Sequence, residues 1–571
     1  MDGRLSFRVK RTLLVSTVLV FVVAFGLPPE RASAQGHDGH AAGPAAAPTS
    51  PKLLGGLSDH THPIATSSPE AQKYFDMGLN LSFAFNKEES ERAFRKAAEL
   101  DPKAPMPQWG IAYALGPDIN TPRIPDRDKG AFEAITKARS LAASGAEAER
   151  DYIEAMAPRY SNDPKADLRA LDEAYRAAMK QVTQKYPDDL DAATIYAESV
   201  MDLNPWKFWG PDGKPAADTP EILDVLESVL RRDPGHIGAN HFYIHAVEAS
   251  PNPARALPSA QRLLTAAPAA GHLVHMPGHI FLRTGDFADT VATNQKAVAA
   301  DEALFKDFGK TAMYPIMYST HNSHFVAYGS MMAGMKDKAI AAADRVGKEN
   351  AEFTPPGDLD PVMGPFLEMY GEYSISARWR FGMWDDILKL PAPDKRFVID
   401  TAMWHAARGV AQAAKKNLAA AREEKKAFGE LRDKIPPTWA HAFAPAQDYL
   451  AVAGHVLNAR ILESVGDKDG AIAAWNAAVQ AQDNLPYNEP PEWFYPVRES
   501  HGGALLRSGR AAEAEKVFRA DLDRNPRNAR SLFGLWKSLE AQKRTADAAL
   551  VKRQFDTAWK DATVKLDVKD L

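Results

Sequence analysis

The chain has 571 residues, a formal net charge of −5 and no cysteine. This length exceeds one ordinary hydrophobic core, so either several domains or an elongated repeat array is expected. The absence of thiols excludes disulfides, thiolate metal sites and iron–sulfur clusters. The sequence also has no basic stripe with interleaved aromatic residues, so nothing in it indicates nucleic-acid binding.

The first 34 residues have the three-part pattern of a secretory signal peptide. Basic residues are followed by an apolar stretch over 12–27 and by Ala32-Ser33-Ala34, which predicts cleavage after Ala34. The apolar stretch is shorter than the ~20 residues of a membrane-spanning helix, although an uncleaved anchor is the alternative. We therefore expect a periplasmic or secreted mature protein with no membrane span.

Residues 35–58 are rich in Gly, Ala, Pro and Ser, a composition typical of a flexible linker. Cleavage after Ala34 would leave Gln35-Gly36-His37 at the new N-terminus. A free amine with histidine as the third residue can wrap Cu(II) or Ni(II) in a plane of nitrogens. A chance occurrence of this tripeptide is the alternative.

From residue 59 onward the sequence predicts an all-α protein built from helix–turn–helix units. Small and aromatic residues recur at the offsets of a 34-residue unit, namely Tyr74, Met77, Gly78, Leu81, Phe94, Ala97 and Pro102. Further units end at Pro187, Pro234, Pro268 and Pro526, with turn glycines at Gly285, Gly334, Gly466 and Gly509. The pattern resembles the tetratricopeptide repeat (TPR), which implies an α-solenoid, here with arrays over 59–350 and 351–571.

Residues 204–219 interrupt this rhythm with turn-forming residues and three large aromatic side chains. These are Trp206, Phe208 and Trp209. A packed cap over the neighbouring helices is one interpretation, and a lid over a ligand site is the other.

Nine of the sixteen histidines lie in four short segments. Spacings of three and four residues place side chains on one helix face. In the register of the TPR resemblance, the positions that line the concave groove are His241, His245, His272, His275, His279, His321 and His324, with Tyr328 following. The same register adds carboxylates at Glu248, Glu198 and Asp202, whereas His405, His441, His455 and His501 stand singly and are interpreted as structural or surface residues.

Imidazole and carboxylate together are ligands for first-row transition ions. Seven histidines exceed the need of one ion, so we predict two ions, or one ion with additional orienting imidazoles. Without thiolates and outside the cytoplasm, copper is the first choice, and iron, zinc and manganese are the next. The arm His60-Thr-His62 could fold back and add two ligands, or remain exposed to solvent.

The His-rich segments also resemble those of a group of exported bacterial TPR proteins, a resemblance that implies no particular activity. We expect a metalloenzyme, first a copper-type oxidoreductase acting on a small molecule, with Tyr328 and Glu248 as candidate catalytic residues. A metal-assisted hydrolase would use Glu198, Asp202 or Glu248 as general base. The alternatives are a non-catalytic scaffold that binds a peptide or protein partner and a periplasmic metal carrier.

Overall fold

The computed structural model describes residues 51–310, 313–357, 359 and 364–571. The predicted signal peptide, the first part of the predicted linker and the Gln35-Gly36-His37 motif lie outside the described residues. The last part of that linker is packed: the Tyr74 hydroxyl donates to the carbonyl of Pro51 at 2.7 Å, and the amide of Ala269 donates to the carbonyl of Gly56 at 2.9 Å.

Antiparallel helix pairs make up the first part of the fold. In chain order they are α1 Pro69–Phe83, α2 Lys87–Leu100, α3 Met106–Leu115, α4 Pro125–Leu141, α5 Glu147–Met156, α6 Leu168–Lys185, α7 Leu190–Met201, α8 Thr219–Arg232, α9 Ile237–Glu248, α10 Leu257–Ala266, α11 Gly271–His275, α12 Pro277–Thr284 and α13 Phe287–Phe308. A π-helical turn, Pro315–Ser319, then leads into α14 Thr320–Met332.

The second part continues the same arrangement. It consists of α15 Lys336–Phe353, α16 Gly364–Gly371, α17 Tyr373–Arg380, α18 Trp384–Lys389, α19 Val398–Ala414, α20 Leu418–Arg432, α21 Ala446–Ser464, α22 Lys468–Asp483, α23 Arg498–Arg507, α24 Ala511–Arg524, α25 Ala529–Ala541 and α26 Thr545–Ala558. A minimal hairpin pairs β1 Ala440–His441 with β2 Ala444–Pro445. Short 3-10 turns lie at Ala142–Ser144, Ala157–Arg159, Pro253–Ala256 and Val568–Asp570.

The predicted all-α class is confirmed, and the local sequence explains the helix boundaries. Asn86 and Asp189 cap α2 and α7 by accepting backbone N–H groups, as short polar side chains do at helix starts. Gly285, Gly334 and Gly466 have φ values of 79°, 71° and 81° at the turns between paired helices. This left-handed conformation favours glycine, which is why glycine occupies these turns.

Two large apolar cores fill the solenoid. One extends from Ala71 to Tyr318 and the other from Leu282 to Leu571. Among the described residues, no helix is long and apolar enough to cross a membrane. The domain boundary at 350/351 stays a prediction, since the whole described segment belongs to one compact unit.

The last helices fold back onto the middle of the chain. The turn at Gly285 meets the carbonyl of Pro526 so closely that an added Cβ would lie 1.8 Å from that oxygen. Further along, the amide of Thr563 donates to the carbonyl of Gly334 at 2.9 Å. The sequence predicts that histidines line an open concave groove, but in the structure most of these histidines are buried.

Candidate metal centre

The first group of imidazoles joins α9 to α11. His241 and His245 are four residues apart on α9, so they share a face, and His272 on α11 meets them there. The Nε2 atoms of His241 and His272 lie 3.0 Å apart. One ligand nitrogen from each of the three rings lies within 4.8 Å of the others. We call His241, His245 and His272 the first triad.

The second group joins α11, α12 and α14. The Nε2 atoms of His275 and His279 lie 2.6 Å apart, and the ring of His321 is centred 4.9 Å from that of His275. His275, His279 and His321 form the second triad, again with one nitrogen each within 4.8 Å of the others. The triads adjoin, since the rings of His272 and His275 are 5.6 Å apart.

Hydrogen bonds on the outer side of these rings determine where the imidazole protons are. His241 donates Nδ1–H to the carbonyl of Phe83 at 2.7 Å. His245 donates Nδ1–H to Glu248 Oε1 at 3.0 Å, and His279 donates Nδ1–H to Glu248 Oε2 at 2.5 Å. Carbonyl and carboxylate oxygens only accept, so each neutral ring carries its proton on Nδ1 and a lone pair on Nε2.

Asn294 fixes His275 in the same way. Its Nδ2 donates to the carbonyl of Thr290 at 2.8 Å, which leaves Oδ1 as the atom that faces His275 Nδ1 at 2.5 Å. The amide oxygen accepts, so His275 also carries its proton on Nδ1. Its Nε2 lone pair then faces the Nε2 of His279.

This arrangement is the one that metal-binding histidines adopt. An oxygen that accepts Nδ1–H fixes the tautomer and turns Nε2 toward the ion. In the metal-free protein the protonated His279 donates Nε2–H to His275 Nε2 at 2.6 Å, and an ion bound at ~2.0–2.1 Å would replace that proton. Within the described residues, His245 Nε2 and His272 Nδ1 are buried without any hydrogen-bond partner. A cation would satisfy these nitrogens.

Burial also keeps most of these rings neutral. Desolvation, reinforced by the neighbouring imidazoles, lowers the pKa of His272, His275 and His321 well below 6.5, and burial does the same to His241 and His245. Burial alone would lower the pKa of His279 too, but the carboxylates of Glu248 and Glu489 outweigh it and raise that pKa to about 10. Neutral imidazole is the form that binds metals.

The two carboxylates beside His279 come from distant parts of the chain. Glu248 ends α9 and is fully buried, and it accepts a proton from one imidazole of each triad. Glu248 therefore orients one imidazole in the first triad and one in the second. Glu489, in the loop between α22 and α23, forms an ion pair with His279 Nδ1. Glu489 was not predicted from the sequence, where its only local signal is a Pro-rich segment.

Aromatic side chains enclose the triads. Phe85 lies edge-on to His241, with ring centres 4.5 Å apart, and Trp206 lies edge-on to His245 at 5.4 Å. Tyr318, in the π-helical turn, lies edge-on to His272 at 4.7 Å. Trp206, from the interruption at 204–219, therefore packs against the first triad.

Two predicted residues of α14 point elsewhere. His324 lies against Tyr373, with ring centres 4.0 Å apart, and both of its ring nitrogens are buried without a partner among the described residues. Tyr328 belongs to the second apolar core. Burial raises the pKa of Tyr328 against the opposing charge of Arg380. The structure thus places Tyr318 beside the imidazoles, where the sequence predicted Tyr328.

Glu198 and Asp202 belong to a separate buried polar cluster. Glu198 accepts the hydroxyl proton of Tyr113, and burial raises its pKa to about 7. Asp202 forms an ion pair with Arg159 at 2.7 Å. The structure does not bring either carboxylate into a group with the triads.

The arm that carries His60 and His62 folds back, but onto Asp191 of α7. His60 Nε2 and His62 Nδ1 each lie 2.8 Å from an oxygen of Asp191, and His236 Nε2 lies 3.1 Å from it. The Nδ1 of His236 accepts the amide of Ala239, so its Nε2 carries the proton and donates to Asp191. This cluster, which we call the arm latch, contains two further groups of potential ligands, His60–Asp191–His236 and His62–Asp189–Asp191, so metal binding by His60 and His62 stays a prediction.

The singly placed histidines make contacts of other kinds. His405 pairs with Glu424 at 2.6 Å, and the buried His441 pairs with Glu492 at 2.9 Å and stacks on Tyr449. Burial lowers the pKa of His455 and of His501, the latter to about 4. None of these four joins a group of potential ligands among the described residues.

Comparison with known proteins gives structural neighbours only. No family model matches the chain, and no curated protein matches it significantly. A human IFIT1 dimer with m7Gppp-AAAA matches with a TM-score of 0.32 and 12% identity, over 84% of this chain and 95% of that one. Yeast Tom70 matches with a TM-score of 0.32 and 12% identity, over 85% of this chain and 96% of that one.

The TPR domain of P58(IPK) matches with a TM-score of 0.21 and 11% identity, over 83% of this chain and 99% of that one. TM-scores and identities of this size support no conclusion about function.

Proposed function

We propose that this chain is an exported metalloprotein that binds two first-row transition ions, one in each histidine triad. The observation that carries the proposal is the common orientation of His241, His245, His275 and His279. Each donates Nδ1–H to an oxygen and turns its Nε2 toward the shared interior, where an ion would replace the second proton of His279. Of these inward-facing nitrogens, His245 Nε2 is buried without a hydrogen-bond partner among the described residues, and a cation would satisfy it.

Copper is the first choice of ion. The inward-facing donors are imidazole nitrogens, and the chain has no cysteine that would favour a thiolate site. Imidazole suits copper, zinc and iron, and copper has the highest intrinsic affinity of these for nitrogen ligands. Zinc, iron and manganese are the other ions to be tested.

Three protein ligands per ion favour catalysis over simple storage. Catalytic metal sites commonly keep a position open for water or substrate, whereas structural sites are closed by four ligands. We therefore propose an oxidoreductase that acts on O₂ or a small organic molecule, with the aromatic enclosure limiting access. Tyr318, beside His272, is the tyrosine placed to meet such a substrate.

A metal-assisted hydrolase is a weaker candidate, since its general base must face the bound water. Both oxygens of Glu248 accept imidazole protons, and Glu198 and Asp202 are engaged with Tyr113 and Arg159. A peptide-binding scaffold would need these histidines on an open surface, and most of them are buried. A metal carrier would use the same ligands without turnover.

Paired substitutions test the proposal. Replacing His275 and His279 by Ala should abolish binding in the second triad, whereas replacing His405 and His455 should leave metal content unchanged. Metal content is measured by mass spectrometry on protein purified without a His tag, after exposure to Cu, Zn, Fe and Mn. Equal losses in both double variants would refute the site. O₂ uptake with phenolic substrates by the copper-loaded protein then tests turnover, and zero uptake with full metal content would favour the carrier.

A further inference from the structure

A cleft lies in the C-terminal part of the fold, away from the histidine triads. It has a volume of about 960 Å³ and lies among the ends of α17, α19 and α21, α23, α25 and the C-terminal tail. Small-molecule sites typically have volumes of about 300–1,000 Å³. The cleft is therefore large enough for a small ligand.

The lining of this cleft is strongly basic. Seven of its residues are Lys or Arg, and its only acidic residues are Glu463 and Asp570. The whole chain, in contrast, has a net charge of −5. A local excess of positive charge in a concave site attracts anions.

Two arginines in the lining are almost completely buried. Arg380 and Arg530 are each 6% exposed. Arg380 pairs with Glu499 at 2.5 Å, but Arg530 donates only to the backbone carbonyls of Asp570 and Arg380, at 2.8 and 3.3 Å. Among the described residues, Arg530 thus has no carboxylate at ion-pair distance.

Three hydrogen-bond donors in this cleft also lack a partner among the described residues. The Nε–H groups of Arg380, Arg460 and Arg530 are buried and have no hydrogen-bond partner within the described part of the chain. Burial and the charge of Arg380 lower the pKa of Arg530 to about 9, and the charges of Glu499 and Asp570 offset this only in part. Buried charges and donors of this kind are normally satisfied by a partner.

Aromatic side chains complete the walls. Trp379, Trp384 and Tyr495 line the cleft together with aliphatic residues. Guanidinium groups bind carboxylate and phosphate oxygens in bidentate fashion, and aromatic walls favour an apolar body. We propose that this cleft binds a small organic oxyanion, a carboxylate or a phosphate carried on an apolar body, with Arg530 as its principal counter-charge. This site is independent of the metal centre.

Titration calorimetry on the full chain tests the proposal with four probes: benzoate, phenyl phosphate, inorganic phosphate and the neutral benzyl alcohol. We expect one of the two aromatic anions to bind at one site with a dissociation constant below about 1 mM. Inorganic phosphate should bind more weakly and benzyl alcohol should not bind. Raising the ionic strength should weaken anion binding, because the attraction is screened. The stronger of the two aromatic anions identifies the head group.

Substitutions locate the binding. Arg530→Gln should weaken it by at least about tenfold, as expected for a lost charge-assisted bidentate contact. The exposed rim pair Lys565→Gln and Lys569→Gln should weaken it by a few fold and flatten the salt dependence. Arg519→Gln, on the outer surface and paired with Glu515, is the matched control and should bind as wild type.

Two results would overturn the proposal: no binding of either aromatic anion at ~10 mM, or wild-type affinity in Arg530→Gln. If Arg530→Gln does not fold, as judged by circular dichroism, wild-type affinity and salt dependence in the rim double variant would overturn it instead. The His275/His279 double variant should still bind the anion, so failure of the metal proposal leaves this test intact.

Discussion

Replacing Asn294 by Leu isolates the orienting contact of the second triad. The two side chains have similar shapes, so the change removes the amide acceptor of His275 with little change in volume. Asn294 is fully buried, and its Oδ1 lies 2.5 Å from His275 Nδ1. Without that acceptor His275 can carry its proton on Nε2, where it competes with the ion.

The size of the effect follows from the two roles of the contact. Loss of a partner that orients a metal ligand typically reduces metal affinity about 10–100-fold, or about 1.4–2.8 kcal/mol. The unsatisfied imidazole N–H costs the metal-free protein a further ~1–3 kcal/mol of folding stability. Both effects should appear in the same variant.

The assay is a competition titration with a chromophoric chelator, together with urea unfolding of the metal-free protein. Asn350→Leu is the matched control, since Asn350 is 3% exposed and donates to the carbonyl of Leu367 at 2.8 Å. The control should lose stability by a similar amount but keep wild-type metal affinity. If Asn294→Leu binds metal as tightly as Asn350→Leu, the tautomer argument is wrong.

Two further predictions concern the arm latch and the closure of the solenoid. Burial would lower the pKa of His60 and His62, but Asp191 raises both above 6.5, so the latch stabilises the fold below that pH and loses strength as pH rises through the raised values. Urea unfolding should show a larger loss for Asp191→Asn at about pH 5.5 than at about pH 8.5, with Asp188→Asn as control; equal losses would contradict this. Gly285→Ala should lower the free energy of unfolding by more than ~3 kcal/mol, and Gly466→Ala by ~1–2 kcal/mol. The reason is that an added Cβ would meet a backbone carbonyl at Gly285 but open space at Gly466. Equal costs in urea unfolding would show that the closure contact is not formed.

The helical class and the position of the histidines were predictable because they depend on local pattern. Spacings of three and four residues identify a shared helix face, and six of the seven predicted helix histidines do gather in two triads. The turn glycines could be predicted equally well, since few residues other than glycine adopt the left-handed conformation of these turns. Periodicity within a helix is sufficient for both inferences.

The remaining features depend on contacts between distant segments. Residues three apart on a helix differ by about 60° around its axis, so His321 can face the triad while His324 turns to Tyr373. The approach of Glu489 to His279 requires the loop between α22 and α23 to close onto α12. No local pattern in the sequence encodes that closure.

The number of ions bound per chain tests the central claim most directly. The full chain, purified without a tag and stripped with a chelator, is titrated with Cu(II) and, separately, with Zn(II), and metal is counted by mass spectrometry after gel filtration. The two triads predict a plateau near two ions per chain, falling to about one in the His275/His279 double variant. A plateau below about 0.2 ions per chain with Cu, Zn, Fe and Mn alike would contradict the account.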